Sequence, residues 1–387
     1  MRTPKLATRC VAVMAVPLLL AVAAAAVVPT APAAAAPTRP AGPMSSFTIS
    51  GDLSGVAATS ARNAWAVGST GTSRPRTLIV HWNGRAWKRV PSPTPAGSGV
   101  LYGVAAVSAR NAWAVGCTSC SGSGVSKTLI LRWNGRAWER VPSPSPAGSS
   151  LSGVAATSAR NAWAVGSTST GTGTGVLIEQ WNGKVWKRVA SPSPPGSSLR
   201  GVATSAHSAW AVGSATSKTS IKTLIERWNG KAWKRVPSPS PDAGLADFLG
   251  GVAVTSGGRA WAVGDITCGC GPGLSLIERW NGKVWRRVPS PTPGGGTLLS
   301  GVAAVSARSA WAVGASGSGD GPTKTLILRW NGTTWKKVPS PSPRASARLS
   351  GVAATSARSA WAVGSTSTKS HSNFKTLILR WNGTAWK

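Results

Sequence analysis

The string Ala-Trp-Ala-Val-Gly occurs seven times in this chain. Its tryptophans are Trp65, Trp113, Trp163, Trp210, Trp261, Trp311 and Trp361, spaced by 48, 50, 47, 51, 50 and 50 residues. Trp-Asn-Gly also occurs seven times, starting at Trp82, Trp133, Trp181, Trp228, Trp280, Trp330 and Trp381, and another tryptophan lies five residues after each. Three tryptophans per copy account for all 21 in the chain, beside three Phe and one Tyr. A period of this length marks a supersecondary unit that buries its apolar face only by stacking on its neighbours. Tryptophans confined to the repeat therefore read as packing residues before they read as ligand contacts.

Each copy reads as four short strands. In the first, Leu53 to Thr59 is small and apolar, Ser-Ala-Arg-Asn makes a turn, and Ala64 to Ser69 alternates large and small residues. A Gly/Ser/Thr loop leads to the apolar run Thr77 to Trp82. Asn83-Gly84 suits a two-residue type I′ hairpin turn. Arg85 to Val90 is the fourth strand, and the prolines of Pro-Ser-Pro-Thr-Pro end it because proline cannot donate to a ladder. Helical periodicity is absent after the first 36 residues. Four strands per copy predict an all-β fold, a seven-bladed β-propeller of four-stranded antiparallel blades spanning residues 45–387. The last copy stops at Lys387, within its fourth strand. The segment Ser45 to Ser50 precedes the first copy, so Phe47 to Ser50 is expected to complete the last blade and close the ring, which covers an exposed edge. A two-residue turn would set Trp82 opposite Arg85, Val80 opposite Trp87 and Leu78 opposite Arg89. Trp82 and Trp87 then share the face that meets a neighbouring blade, with Arg85 and Arg89 beside Trp87 for a cation–π contact.

The order W-x-x-V-P-S-P, L-x-G-V-A-A, A-W-A-V-G, T-L-I-x-R-W-N-G-x-x-W resembles the tandem repeats of exported bacterial β-propeller proteins. It is similar, more distantly, to tectonin-type lectin propellers. Kelch-type propellers share the architecture, but their paired-glycine signature is absent. The resemblance covers residues 45–387 and implies a propeller fold; the lectin side of it implies carbohydrate binding. Fold alone fixes no ligand.

The first 36 residues read as an export signal: Arg2, Lys5 and Arg9, an uncharged run from Cys10 to Val28, and small residues at Ala33 to Ala36, followed by a linker over 37–44. A secreted or cell-surface protein is expected, with an uncleaved anchor as the alternative and no later membrane span. Of the other cysteines, Cys117 and Cys120 are spaced for a local disulfide, and Cys268 and Cys270 form a tighter pair whose state stays open.

Forty-three Lys and Arg against nine Asp and Glu give a net charge of +34, which favours polyanionic partners. The charge recurs on the last two strands of each copy. Four positions there are basic again and again: the His81 position (Arg132, Arg227, Arg279, Arg329, Arg380), the Arg85 position (Arg136, Lys184, Lys231, Lys283), the Lys88 position (Lys187, Lys234, Arg286) and the Arg89 position (Arg140, Arg188, Arg235, Arg287). This predicts a basic perimeter suited to an anionic cell-wall polymer or polysaccharide. It lacks the groove-reading helix or stacking platform of a sequence-specific nucleic-acid binder.

The loops between second and third strands vary most, and Asp52, Asp242, Asp247, Asp265 and Asp320 all fall on that face, so they are candidate ligand-face acids. Glu179, Glu226 and Glu278 share a third-strand position filled by Leu or Val elsewhere and read as packing variants, paired with nearby arginines. His81, His207 and His371 have no common context. No metal-ligand spacing, nucleophile elbow or phosphate loop is present, so no cofactor, metal or catalytic residue is assigned. The reading is a non-catalytic, monomeric binding or adhesion propeller that recognises carbohydrate or anionic envelope polymer through its variable loops and basic perimeter. The alternative is a polysaccharide hydrolase or lyase using the loop aspartates.

Overall fold

In the computed structural model the first copy forms β1 (Asp52–Ser60), β2 (Asn63–Thr70), β3 (Arg76–Trp82) and β4 (Trp87–Arg89), paired antiparallel in that order. The structure describes residues 47–387 except 96–97, 121–124, 172, 206–207, 218–219, 241–245, 256, 268–272, 294, 318–320 and 368–372. The expected export signal (1–36) and linker (37–44) lie outside the described residues. Among the described residues there are strands and no helix. The second to sixth copies repeat the four-stranded order, and the fourth and fifth are joined by one parallel bridge between Ile221 and Ala246. The last copy has three strands, Ser346–Ser356, Ser359–Ser367 and Phe374–Trp381, and a Trp381–Trp386 bridge begins its fourth.

The rest of that edge is paired with the start of the described chain. Thr376 N donates to Ile49 O at 2.9 Å, Gly51 N donates to Phe374 O at 2.9 Å, and Ser50 bridges Lys375 antiparallel. Phe47 and Ile49 pack against the apolar cluster shared by the first and last copies.

The arrangement is propeller-like, and the innermost strands show why glycine follows Leu-x in every copy. A methyl group added at Gly55 would stand 3.3 Å from the Cα of Gly103. The same approach, between 3.1 and 3.4 Å, runs from Gly103 to Gly153, on through Gly201, Gly251, Gly301 and Gly351, and from Gly351 back to Gly55. Only a residue without Cβ lets backbones meet this closely.

Away from these glycines the gap between sheets is filled by indoles. Trp210 meets Trp280 at 4.9 Å and Trp285 edge-on at 5.1 Å, and both partners belong to the next copy. The same triad joins each copy to its successor, and Trp361 of the last copy closes on Trp82 and Trp87 of the first. Tilted and edge-to-face pairs of this kind add roughly 0.5–1.5 kcal/mol each beyond their burial.

The hairpin differs from the sequence expectation in two ways. Trp82 pairs with Trp87, His81 with Lys88 and Val80 with Arg89. The turn is therefore four residues, Asn83 to Ala86, not a two-residue type I′ turn. Asn83 Oδ1 accepts from Arg85 N and Ala86 N at 3.0 Å each, and Gly84 takes the positive φ, 95°. The side-chain amide caps the turn, so Asn83 needs no positive φ. Because the shift is two residues, the faces are preserved. The cation–π contacts also belong elsewhere. Third-strand arginines, not Arg85 and Arg89, lie over indoles: Arg227 is 5.1 Å from the Trp210 ring and 5.7 Å from Trp280. Arg132, Arg279, Arg329 and Arg380 repeat this, while His81 stacks on Trp65 at 4.1 Å. These half-buried arginines are interleaved with the tryptophans and are not part of a free perimeter.

Glu179, Glu226 and Glu278 are fully buried, opposite Arg188, Arg235 and Arg287 across the ladder. The arginines favour ionisation, but burial outweighs them and raises each carboxyl to about 8; the charge of Asp247 adds to the rise at Glu278. The folded chain thus holds protons that the unfolded chain releases near 4.5. Stabilisation from these groups is full below that value and is lost as the pH climbs to about 8. The melting temperature should therefore fall by several degrees between pH 5 and pH 9, and less in Glu226→Gln; scanning calorimetry showing no fall, or an equal fall in the variant, would contradict this.

Candidate functional site

Every first strand carries a β-bulge between its leucine and its glycine: Leu53 pairs with Gly68 and Gly55 with Val67, which leaves Ser54 without a partner. The same shift leaves out Tyr102, Arg200, Gly250, Ser300 and Ser350 in other copies. A bulge re-aims the extra residue. Here Ser54, Tyr102, Ser152, Arg200, Gly250 and Ser300 line one cavity of about 410 Å³, with Asp265, Leu298 and Leu299. The lining comes from successive copies, so the cavity lies where the innermost strands converge. It opens at the strand ends that receive the variable loops, since Asp265 lies in the last three residues of the second strand of its copy, Ala260–Thr267.

The cavity's polar groups are coupled. The guanidinium of Arg200 lies 5.6 Å from the Phe248 ring. Burial lifts the Asp265 carboxyl to about 6; Arg200 opposes this and Asp247 reinforces it. Asp247 is 1% exposed and accepts a hydrogen bond from Ser240 Oγ at 2.8 Å. On the opposite side Arg348 pairs with Asp52 at 3.7 Å and lies 5.6 Å from Phe374, and Asp52 Oδ1 accepts from Ser69 Oγ at 3.2 Å. Burial, then the charge of Asp52, raises the Tyr102 phenol. Tyr102 Oη is 3.9 Å from Sγ of Cys117, which is joined to Cys120 in a disulfide. A second cavity, about 280 Å³, shares Asp265 and Leu298 with the first and continues between Gly273, Thr297, Gly317 and Thr323.

Of the candidate acids, Asp52, Asp247 and Asp265 therefore stand at or beside the cavity. Asp242 and Asp320 lie outside the described residues, as do Cys268, Cys270, His207 and His371. No group of three or more His, Cys, Asp or Glu among the described residues is placed to hold a metal ion. Sequence reasoning missed Tyr102, Arg200 and Arg348. For Tyr102 and Arg200 the signal was available, since the x of L-x-G-V is Ser or Gly in the other copies; the position of Arg348 varies from copy to copy and gave none. The perimeter side chains Arg85, Lys88, Arg89, Arg136, Arg140, Lys184, Lys187, Arg188, Lys231, Lys234, Arg235, Lys283, Arg286 and Arg287 are exposed on outer strands or hairpin turns.

No protein-family model matches the chain, and no curated protein matches it. Solved structures do. A YCF48 bound to D1 peptide superposes with a TM-score of 0.53 at 14% identity, covering 86% of this chain and 96% of that one. A PL25 polysaccharide lyase, an ulvan lyase bound to -[GlcA(1-4)Rha3S]-, gives 0.54 at 9%, covering 87% and 95%. The GH74 enzyme of Niastella koreensis gives 0.53 at 12%, covering 87% of this chain but 54% of that one. At such identities the likeness is one of fold.

The cavity can hold a hydroxyl-rich ligand against serines and an aromatic ring, with an acidic group on Arg200. Asp265 competes for that arginine while ionised. Protonation as the pH falls below about 6 adds one positive charge to the mouth, so affinity for an anionic oligosaccharide should rise roughly three- to tenfold from pH 7.5 to 5. Asp265→Asn should abolish the rise in a calorimetric titration; a pH dependence kept intact by the variant would contradict it.

Proposed function

We propose that the chain is a seven-bladed β-propeller, closed where Ile49–Gly51 pair with Phe374–Trp381, and that its cavity binds a segment of acidic polysaccharide. The cyclic return from Gly351 to Gly55 supports the blade count, and the indole contact from Trp361 to Trp82 supports closure. The observation that carries the functional reading is the lining of the 410 Å³ cavity. Residues that depart from the repeat, Tyr102, Arg200 and Asp265, converge there on an otherwise constant frame. Serines supply hydroxyl partners, Tyr102 supplies an aromatic ring, and Arg200, laid over Phe248, supplies a charge for a uronate, sulfate or phosphate substituent. The second cavity extends the first outward, which suits a chain better than a single sugar. The exposed cations of the outer strands attract the same polymer over a longer range. In this reading the protein acts outside the cell as a binding or adhesion module, exported by its N-terminal segment, in keeping with its resemblance to exported tandem-repeat propellers.

A second reading, cleavage of the bound polymer, draws on the mutual coupling of Asp247, Asp265 and Glu278. One experiment separates the two. The protein is incubated with uronate-containing, sulfated, phosphate-containing and neutral polysaccharides, and both retention and new chain ends are measured. Binding to the acidic polymers that weakens with salt, without new ends, is the expected result. New chain ends that disappear in Asp265→Ala would replace binding with catalysis.

A further inference from the structure

The opposite ends of the strands carry a second, unassigned surface. The turns from first to second strand place Arg62, Arg110, Arg160, Arg308 and Arg358 there, all exposed. They are built alike. Arg62 N donates to Ser60 Oγ at 3.2 Å, and its side chain passes over Gly84 of the hairpin turn, which a methyl group would bring within 3.3 Å of Arg62 Cβ. Arg110 lies over Gly135, Arg160 over Gly183, Arg308 over Gly332 and Arg358 over Gly383 in the same way. Trp82 Nε1 donates to Ala61 O at 3.1 Å, locking hairpin and turn together, and four other copies repeat this bond. Five copies thus set an arginine from the inner turn beside the tip of the outer hairpin. Most of those tips add a cation of their own, such as Arg85 or Lys184.

Neither kind of turn contains an Asp or Glu in any copy, whereas Asp52, Asp247 and Asp265 lie toward the variable loops. The turn end of the strands is thus cationic and free of carboxylates, whereas the loop end mixes its acids with cations such as Arg76, Lys127, Lys324 and Lys375. Val185 and Val284, 48% and 46% exposed, occupy two hairpin tips on the cationic side, and the indoles of Trp82, Trp133 and Trp228 are half-buried just behind the tips.

We propose that this turn face docks on an anionic phospholipid surface. The cations are distributed around the whole cycle of copies and occupy no groove. A linear polyanion could meet only those along one path, whereas a two-dimensional sheet of negative headgroups meets them together, and multiple weak contacts then add. Arginine stems laid along the turn with their charged heads in water, next to indoles and isolated valines, suit the boundary between headgroup and water. This docking leaves the cavity facing away from the surface, and it does not depend on the polysaccharide reading.

The test is sedimentation of the full chain with zwitterionic phosphatidylcholine vesicles and with vesicles containing phosphatidylglycerol. The apolar N-terminal segment is common to both, so their difference reports charge-dependent docking. The turn variant Arg62→Ser, Arg110→Ser, Arg160→Ser, Arg308→Ser, Arg358→Ser is compared with a perimeter variant carrying five outer-strand substitutions, Lys88→Ser, Lys187→Ser, Lys234→Ser, Arg286→Ser, Lys336→Ser. Both lose the same charge, and their melting curves report folding. The proposal expects preference for the anionic vesicles, a loss of at least about tenfold in the turn variant and a loss under about threefold in the perimeter variant. Equal losses would reduce the effect to net charge, and equal binding to both vesicles would remove it; either overturns the proposal. Should the turn variant fail to fold, single substitutions at Arg62 and Arg308 are compared with Lys88→Ser and Lys336→Ser on the same criterion.

Discussion

A tryptophan from one copy, seated edge-on and tilted against two tryptophans of the next with an arginine laid over the rings, is the contact on which this structure depends. No copy can make it alone. Trp210 has its partners in Trp280 and Trp285, and Trp261 in Trp330 and Trp335. Each apolar cluster spans two successive copies, so a single sheet has no core of its own. Truncating one such indole to alanine removes on the order of 3–5 kcal/mol, and the loss falls on two copies at once. Stability here is a sum over neighbour contacts, as in other repeat architectures.

The indoles fill the gap between successive sheets away from the inner strands, and glycine sets the approach at the inner strands. Gly55 and its counterparts let the inner backbones approach until no side chain fits between them. Just before this glycine the bulge ejects one residue per copy from the ladder. The fold thus brings the residue left out of the ladder in six copies, Ser54, Tyr102, Ser152, Arg200, Gly250 and Ser300, to a shared cavity. Replacing serine by tyrosine or arginine there alters neither the ladder nor the indole triad. Function can vary at Tyr102 and Arg200 while the frame stays fixed, which is the physical reason a strict repeat can carry a non-repeating site.

Much of this was legible in the sequence. Period, strand order and the packing role of the tryptophans follow from hydrophobic alternation and repetition, because every copy votes on the same pattern. The hairpin register was misread because Asn-Gly fits two turn types, and only the capping bonds from Asn83 Oδ1 to Arg85 and Ala86 separate them. The third-strand arginines looked like surface charge because alternation alone does not reveal a guanidinium lying over two rings from different copies. Asp52, Asp247 and Asp265 were legible as acids near the loops. Their partners Arg348, Ser240 and Arg200 were not, since these contacts join segments whose meeting depends on how sheets stack and twist. The neutral state of Glu179, Glu226 and Glu278 was illegible for a related reason: a buried position opposite an arginine reads as an ion pair until its depth is known.

Returning the cavity residues to their repeat equivalents gives the most direct check on the separation of frame and site. The variant Tyr102→Ser, Arg200→Ser, Asp265→Ser restores side chains that other copies already carry. Its melting temperature and its affinity for an acidic oligosaccharide are measured side by side with those of the unaltered chain. The account predicts a melting temperature changed by no more than about 2–4 °C, the scale of a 1 kcal/mol effect, with affinity reduced at least tenfold. A variant that melts far earlier, or one that binds as tightly as before, would contradict it.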